Sequence, residues 1–147
     1  MRMFTRVSLF VCACFLLPAA EAQMPVVELS AGIHRIEAEL ARDPDSRATG
    51  LMQRRQMAAN RGMLFAFPVA AVHCMWMRNT LIPLSVAFLD EKGVILNVEE
   101  MQPQTETNHC ATRAARYALE MNAQWFARRG LGKGAQVQGV AGIQAMD

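Results

Sequence analysis

A chain of 147 residues, 52% of them apolar, is long enough to bury one core. Its 15 basic and 13 acidic side chains nearly cancel, at +2, which excludes a broad electrostatic footprint for nucleic acid and a basic face for membranes. No internal repeat, low-complexity tract or second long apolar segment divides it.

The chain opens with Arg2 and Arg6 and no acid, runs apolar from Val7 to Leu17, and reaches Pro18 and then Ala20-Glu21-Ala22. A charged start, a short apolar middle and a small-x-small ending predict a secretory signal peptide cleaved after Ala22. The apolar run is shorter than the about 20 residues a bilayer crossing needs, so no membrane insertion is expected after cleavage. Cys12 and Cys14 lie inside that run and not at the cleavage point, which argues against a lipoprotein. Residues 23–147 are therefore expected to form one domain in the periplasm of a Gram-negative cell. Cys74 and Cys110 remain after processing. In an oxidising compartment an even pair points to a disulfide, and no C-x-x-C spacing supports a redox motif.

Val26 to Leu29 and Ile33 to Leu40 read as strands around Ala31-Gly32, the second alternating apolar and charged residues with period two. Asp43-Pro44 opens a helix that runs to about Arg55, with Asp43 as cap and proline at the first helical position. Gly62 to Phe67 is an apolar strand stopped by Pro68, and Val72 to Met77 is another. Leu84 to Leu89 and Val94 to Val98 form a hairpin over Asp90-Glu91-Lys92-Gly93, where Gly93 suits a positive φ. Gln102 to Arg113 is a polar loop, Arg116 to Met121 a strand, and Asn122 caps a second short helix ending at Arg128-Arg129-Gly130. Gln136 to Val140 is the last strand. This order predicts an α+β fold: a mostly antiparallel, strongly curved sheet or partial barrel with two short helices.

The segment from Met75 to Leu84, Met-Trp-Met-Arg-Asn-Thr-Leu-Ile-Pro-Leu, is distinctive. It stands in order with Gly50-Leu51-Met52, Gly62-Met63-Leu64-Phe65, Gly93-Val94-Ile95 and Tyr117-Ala118-Leu119-Glu120. In this combination the chain resembles the DUF192 family, also called UPF0127, from roughly Val27 to Val137. The resemblance implies a small, often exported protein built mainly of strands, and implies no activity. Two departures stand out. Ser85 occupies the place where the family usually has Asp after Pro-Leu, and Gly134-Ala135 stands where it tends to have Gly-Asp. Chemistry resting on those carboxylates is not open to this chain in the same way.

Three site readings arise. In the first, Arg78, Asn79 and Thr80 leave a buried strand and line a pocket for a small anion or sugar, with Trp76 and Tyr117 as walls and Glu120 nearby. The same three residues are common turn formers, with Arg78 free to pair with Glu120 or another acid, so a purely local role stands beside this one. The expected partner is a small ligand or another envelope protein, with no cofactor and no catalysis. In the second, Glu120 or His109 works with Arg78 in an envelope hydrolase or transferase. No Gly-x-Ser-x-Gly elbow supports Ser85 as nucleophile. In the third, His73, Met75 and Met77 share one strand face and hold Cu(I), with Trp76 pointing the other way. Methionine as core filler is the alternative there.

Overall fold

The computed structural model describes residues 23–147, so the expected signal peptide and its cleavage site lie outside the described residues. The elements are β1 (Val26–Ala31), β2 (His34–Ala41), α1 (Pro44–Thr49), β3 (Arg61–Ala71), β4 (Cys74–Met75), β5 (Leu84–Leu89), β6 (Ile95–Met101), β7 (His109–Cys110), β8 (Ala115–Asn122), a 3-10 turn (Ala127–Arg129) and β9 (Val137–Gln138). Seven strands form one sheet in the order β6-β5-β8-β3-β2-β1-β9, and β4 pairs with β7 in a separate ribbon. Every pairing is antiparallel except β2 with β3, which are joined through the α1 crossover.

The sheet curls until its two ends meet. The Ile95 amide donates to the Ala135 carbonyl at 2.8 Å and the Gly134 amide returns to the Ile95 carbonyl at 2.8 Å, while Val137 donates to Gly93. Gly93 has φ 82, and a Cβ there would run into the Val137 carbonyl and the Val140 side chain. Both the left-handed backbone and the closure therefore require glycine. Gly93→Ala is expected to lower unfolding free energy by about 2 kcal/mol or more, read by denaturant titration. An unchanged midpoint would mean that the β6–β9 closure is dispensable.

Period-two alternation sorts the strand side chains into two cores. The inner face collects Ile36, Ala38, Leu64, Leu89, Tyr117 and Leu119, plugged by Trp125, Phe126, Val137 and Val140. Met63, Phe65, Phe67, Val86, Phe88 and Ala118 face outward, but Leu51, Met77 and Ala111 cover them as a second core. All six residues of β5 are consequently buried. Fully burying a side chain the size of Phe126 or Phe65 contributes about 1.5–3 kcal/mol.

The fold is mostly β, which corrects the two-helix expectation. Helix α1 begins as predicted: Asp43 accepts from the Ser46 amide at 2.9 Å in a reciprocal capping box, and this holds its carboxyl below the usual range. It stops six residues earlier than predicted, because Gly50 turns out of the helix at φ 49. The second helix shrinks to the 3-10 turn. Gln124 takes φ 65, and its amide is drawn to Ser85 Oγ at 2.8 Å and Glu100 Oε2 at 3.0 Å, so the chain leaves the helical path. Pro68 does not end β3, because the ladder with β8 slips between Ala66 and Ala71 and no amide is needed there. The strand predicted over Val72 to Met77 is only Cys74–Met75, and its partner β7 lies inside the segment predicted as loop.

Candidate acid-bearing cavity

β8 is a central strand whose one fully buried charged residue is Glu120; Arg116, the other charge in it, is only part-buried. Across the sheet Glu120 stands opposite Met63 of β3 and Val86 of β5, so its side chain belongs to the covered outer face. It is 4% exposed, and no described residue gives its carboxyl a hydrogen bond or an ion pair. Burial alone pushes its pKa from 4.5 to about 8, because removing a carboxylate from water disfavours the charged form. At neutral pH this residue is largely a carboxylic acid, a donor as well as an acceptor.

Glu120 opens into a cavity of about 140 Å³. Phe65 and Phe67 from β3 form its floor with Glu120. Arg47 to Met52, the end of α1 and the turn after it, make one wall, and Cys74, Met75, Trp76 and Thr80 make the other. Thr80 is buried, and its hydroxyl donates weakly to the Arg78 carbonyl at 3.3 Å. Arg47, the one charged side chain on the wall besides Glu120, turns its guanidinium to the carbonyls of Arg42 and Ala66. The second wall is fastened by the Cys74–Cys110 disulfide, which ties β4 to β7 across the directly paired position.

The expected site residues separate. Trp76, Thr80 and Glu120 meet at the cavity, whereas Arg78, Asn79 and Tyr117 do not line it. Arg78 stacks over Trp76 from 4.2 Å and its Nε donates to Glu106 at 2.6 Å, so its ionic partner is not Glu120. Asn79 holds a left-handed turn at φ 55, and its carbonyl accepts from the Gln53 amide at 2.9 Å. Tyr117 lies in the inner core, on the other face of β8 from Glu120, and donates its hydroxyl to the Ile143 carbonyl at 2.9 Å. The turn role thus accounts for most of the Arg-Asn-Thr motif.

The acid–base trio does not converge either. His109 faces Glu99 at 3.8 Å and Arg78 faces Glu106, and neither lines the Glu120 cavity. Ser85 points to the opposite sheet face from Glu120, donating to Glu100 at 2.6 Å. The departure at Gly134-Ala135 falls in the sheet closure. For the copper reading, strand alternation fails beyond Met75. Met75 and Trp76 line the same cavity, Met77 is sealed in the outer core, and His73 stacks on Phe67 with ring centroids 3.7 Å apart and its Nε2 2.9 Å from the Val69 carbonyl. Among the described residues, no cluster of three His, Cys, Asp or Glu side chains is placed to hold a metal.

Sequence reasoning did not place Leu51, Met52, Phe65 or Phe67 at a site, although the first three lie in the motifs that carried the resemblance. The readable signal was a lone Glu inside an otherwise buried strand.

A small, mostly β domain with a nearly closed sheet and a covered acid in its outer core is the class these features define. The chain belongs to the DUF192 family, described as an uncharacterized ACR, whose model matches residues 26–139. A crystal structure from Sinorhizobium meliloti 1021, described as a candidate transcription regulator, is 36% identical with a TM-score of 0.76, covering 82% of this chain and 98% of its own. A protein of unknown function from Novosphingobium aromaticivorans DSM 12444 is 30% identical with a TM-score of 0.74, covering 85% of this chain and 91% of its own. No curated protein matches the chain.

Proposed function

We propose that this protein is an exported, non-catalytic binding domain whose small ligand occupies the cavity over Glu120. The observation that carries this is the pairing of an unpartnered, buried carboxyl with a cavity it faces. Withdrawing a carboxyl this far from water costs free energy, and a bound molecule that partners it offsets that cost. The cavity volume of about 140 Å³ suits a benzene-sized occupant. Both cysteines of the domain are tied up in the disulfide, His109 faces Glu99, and Ser85 faces away, so the hydroxyls of Thr49 and Thr80 line the cavity with Glu120 without a second base to activate them. That favours binding over catalysis.

The disulfide and the N-terminal pattern of basic residues, apolar run and Ala-x-Ala support a periplasmic location. No described helix is long and apolar enough to cross a membrane. The regulator description belongs to the Sinorhizobium meliloti protein; here a net charge of +2 lends DNA binding no particular support.

Native mass spectrometry of the protein purified from periplasm tests the reading. The expected mass corresponds to a start at Gln23, two hydrogens lighter before reduction, with a small reproducible adduct. Ala48→Trp, which fills the cavity from its α1 wall, removes the adduct, while Arg78→Ala keeps it. An adduct that survives Ala48→Trp and disappears with Arg78→Ala would move the site to the exposed turn. A start at Met1 would overturn the export part.

A further inference from the structure

We infer that the occupant of the Glu120 cavity is a small organic cation, an ammonium or amidinium of benzene-like size, held by the Glu120 carboxylate against the aromatic side chains around it. The inference rests on the binding reading above and names the ligand class. An anion is disfavoured at the Glu120 end of the cavity, because it would oppose ionisation of the acid and no cation is paired with Glu120 there. Arg47 keeps its charge on the wall but turns its Nη1 to the Arg42 and Ala66 carbonyls, and burial is the one cause of the Glu120 shift, so Arg47 does not act at the Glu120 end; Arg78 is paired with Glu106 outside the cavity. A sugar would need many convergent donors and acceptors, whereas the polar side chains here are Glu120, Thr49, Thr80 and Arg47, the last turned to backbone carbonyls, and the other side chains of the lining are apolar or aromatic. A cation is matched on both counts. Glu120 supplies the opposite charge. Trp76, Phe65 and Phe67 line the cavity with aromatic rings, Phe67 with one face stacked on His73, and Met52 and Met75 supply polarizable sulfur. The Trp76 ring already carries one cation, the Arg78 guanidinium at 4.2 Å.

Binding is coupled to a proton. Glu120 is largely protonated when the cavity holds no cation at neutral pH, and it ionises as the cation enters, releasing its proton to solvent. The charged and titratable groups bordering the cavity are Glu120 on β8 and Arg47 on α1; Cys74 is held in the disulfide and does not titrate. Affinity for a permanent cation therefore rises up to about tenfold per pH unit below pH 8 and levels off above it.

The test is an NMR amide-shift titration of the disulfide-bonded mature chain with tetramethylammonium chloride, with tert-butanol as its neutral counterpart and sodium chloride as the salt control. It is run at pH 6.5 and 8.5 on the wild type, Glu120→Gln and Trp76→Leu. The expected result is that tetramethylammonium shifts the amides of Leu51, Cys74 and Thr80, at least tenfold more tightly at pH 8.5. The pH effect disappears in Glu120→Gln, where binding weakens at least tenfold, and Trp76→Leu weakens it severalfold. If tert-butanol binds at those amides equally in wild type and Glu120→Gln, and tetramethylammonium does not bind, the cation inference is overturned while the cavity remains a binding site. If neither probe shifts those amides in the wild type, both readings fall.

Discussion

Glu120→Gln is expected to stabilise the protein at alkaline pH and to leave it unchanged in mild acid. The folded-state pKa of Glu120 is raised from 4.5 to about 8 by burial. Between those values the folded chain keeps a proton that the unfolded chain has lost. Stability from this group is thus fully present below pH 4.5, falls as pH rises, and is lost once the pH passes about 8. The full effect is on the order of 3–5 kcal/mol. Glutamine has the shape of the protonated acid and does not titrate. Denaturant titrations at pH 4.5 and 9 should therefore give matching curves in acid and a more stable variant at pH 9. Parallel curves at both pH values would mean that Glu120 is hydrated or ion-paired. A site residue that costs stability at working pH is what a binding role leads one to expect, since a group shaped for a ligand is poorly served without it.

Removing the disulfide should produce the other large loss. Cys74 and Cys110 are separated by 36 residues, and closing a loop of that length restricts the unfolded chain by up to about 4 kcal/mol. For a domain of this size the Cys74→Ala, Cys110→Ala double variant should melt roughly 10–15 °C lower by calorimetry. The effect should reach the site too. β4 and β7 are two residues each, too short to hold together as an isolated ribbon, and β4 carries one wall of the cavity. A melting temperature within about 2 °C of the wild type would show that ordinary packing holds this ribbon in place.

Much of the fold was legible in the sequence. The β5–β6 hairpin, the Asp43 cap, the curved sheet and the cysteine pair each depend on local chemistry: alternation, turn glycine, capping side chain and redox logic. What was misread depends on contacts distant in sequence. The second helix was lost to hydrogen bonds that Gln124 makes with Ser85 and Glu100. β7 exists because β4 lies beside it, and a polar stretch from Gln102 to Arg113 gives no local sign of that. For the candidate site, Trp76, Thr80 and Glu120 meet at one cavity. Arg78 and Tyr117 were grouped with them by nearness in sequence. Strand parity places Tyr117 on the inner face, and Glu106 claims Arg78. The cavity's remaining walls come from α1 and β3, which only the three-dimensional crossover brings there.

The most direct measurement is the carboxyl carbon shift of Glu120 followed by NMR from pH 4 to 10, with and without tetramethylammonium. A midpoint of about 8 that moves down when the cation is added is the expected result. A midpoint near 4.5, unmoved by the cation, would contradict the account, because the acid would then be in contact with water or paired, and the cavity over it would have no unmet charge to offer a ligand.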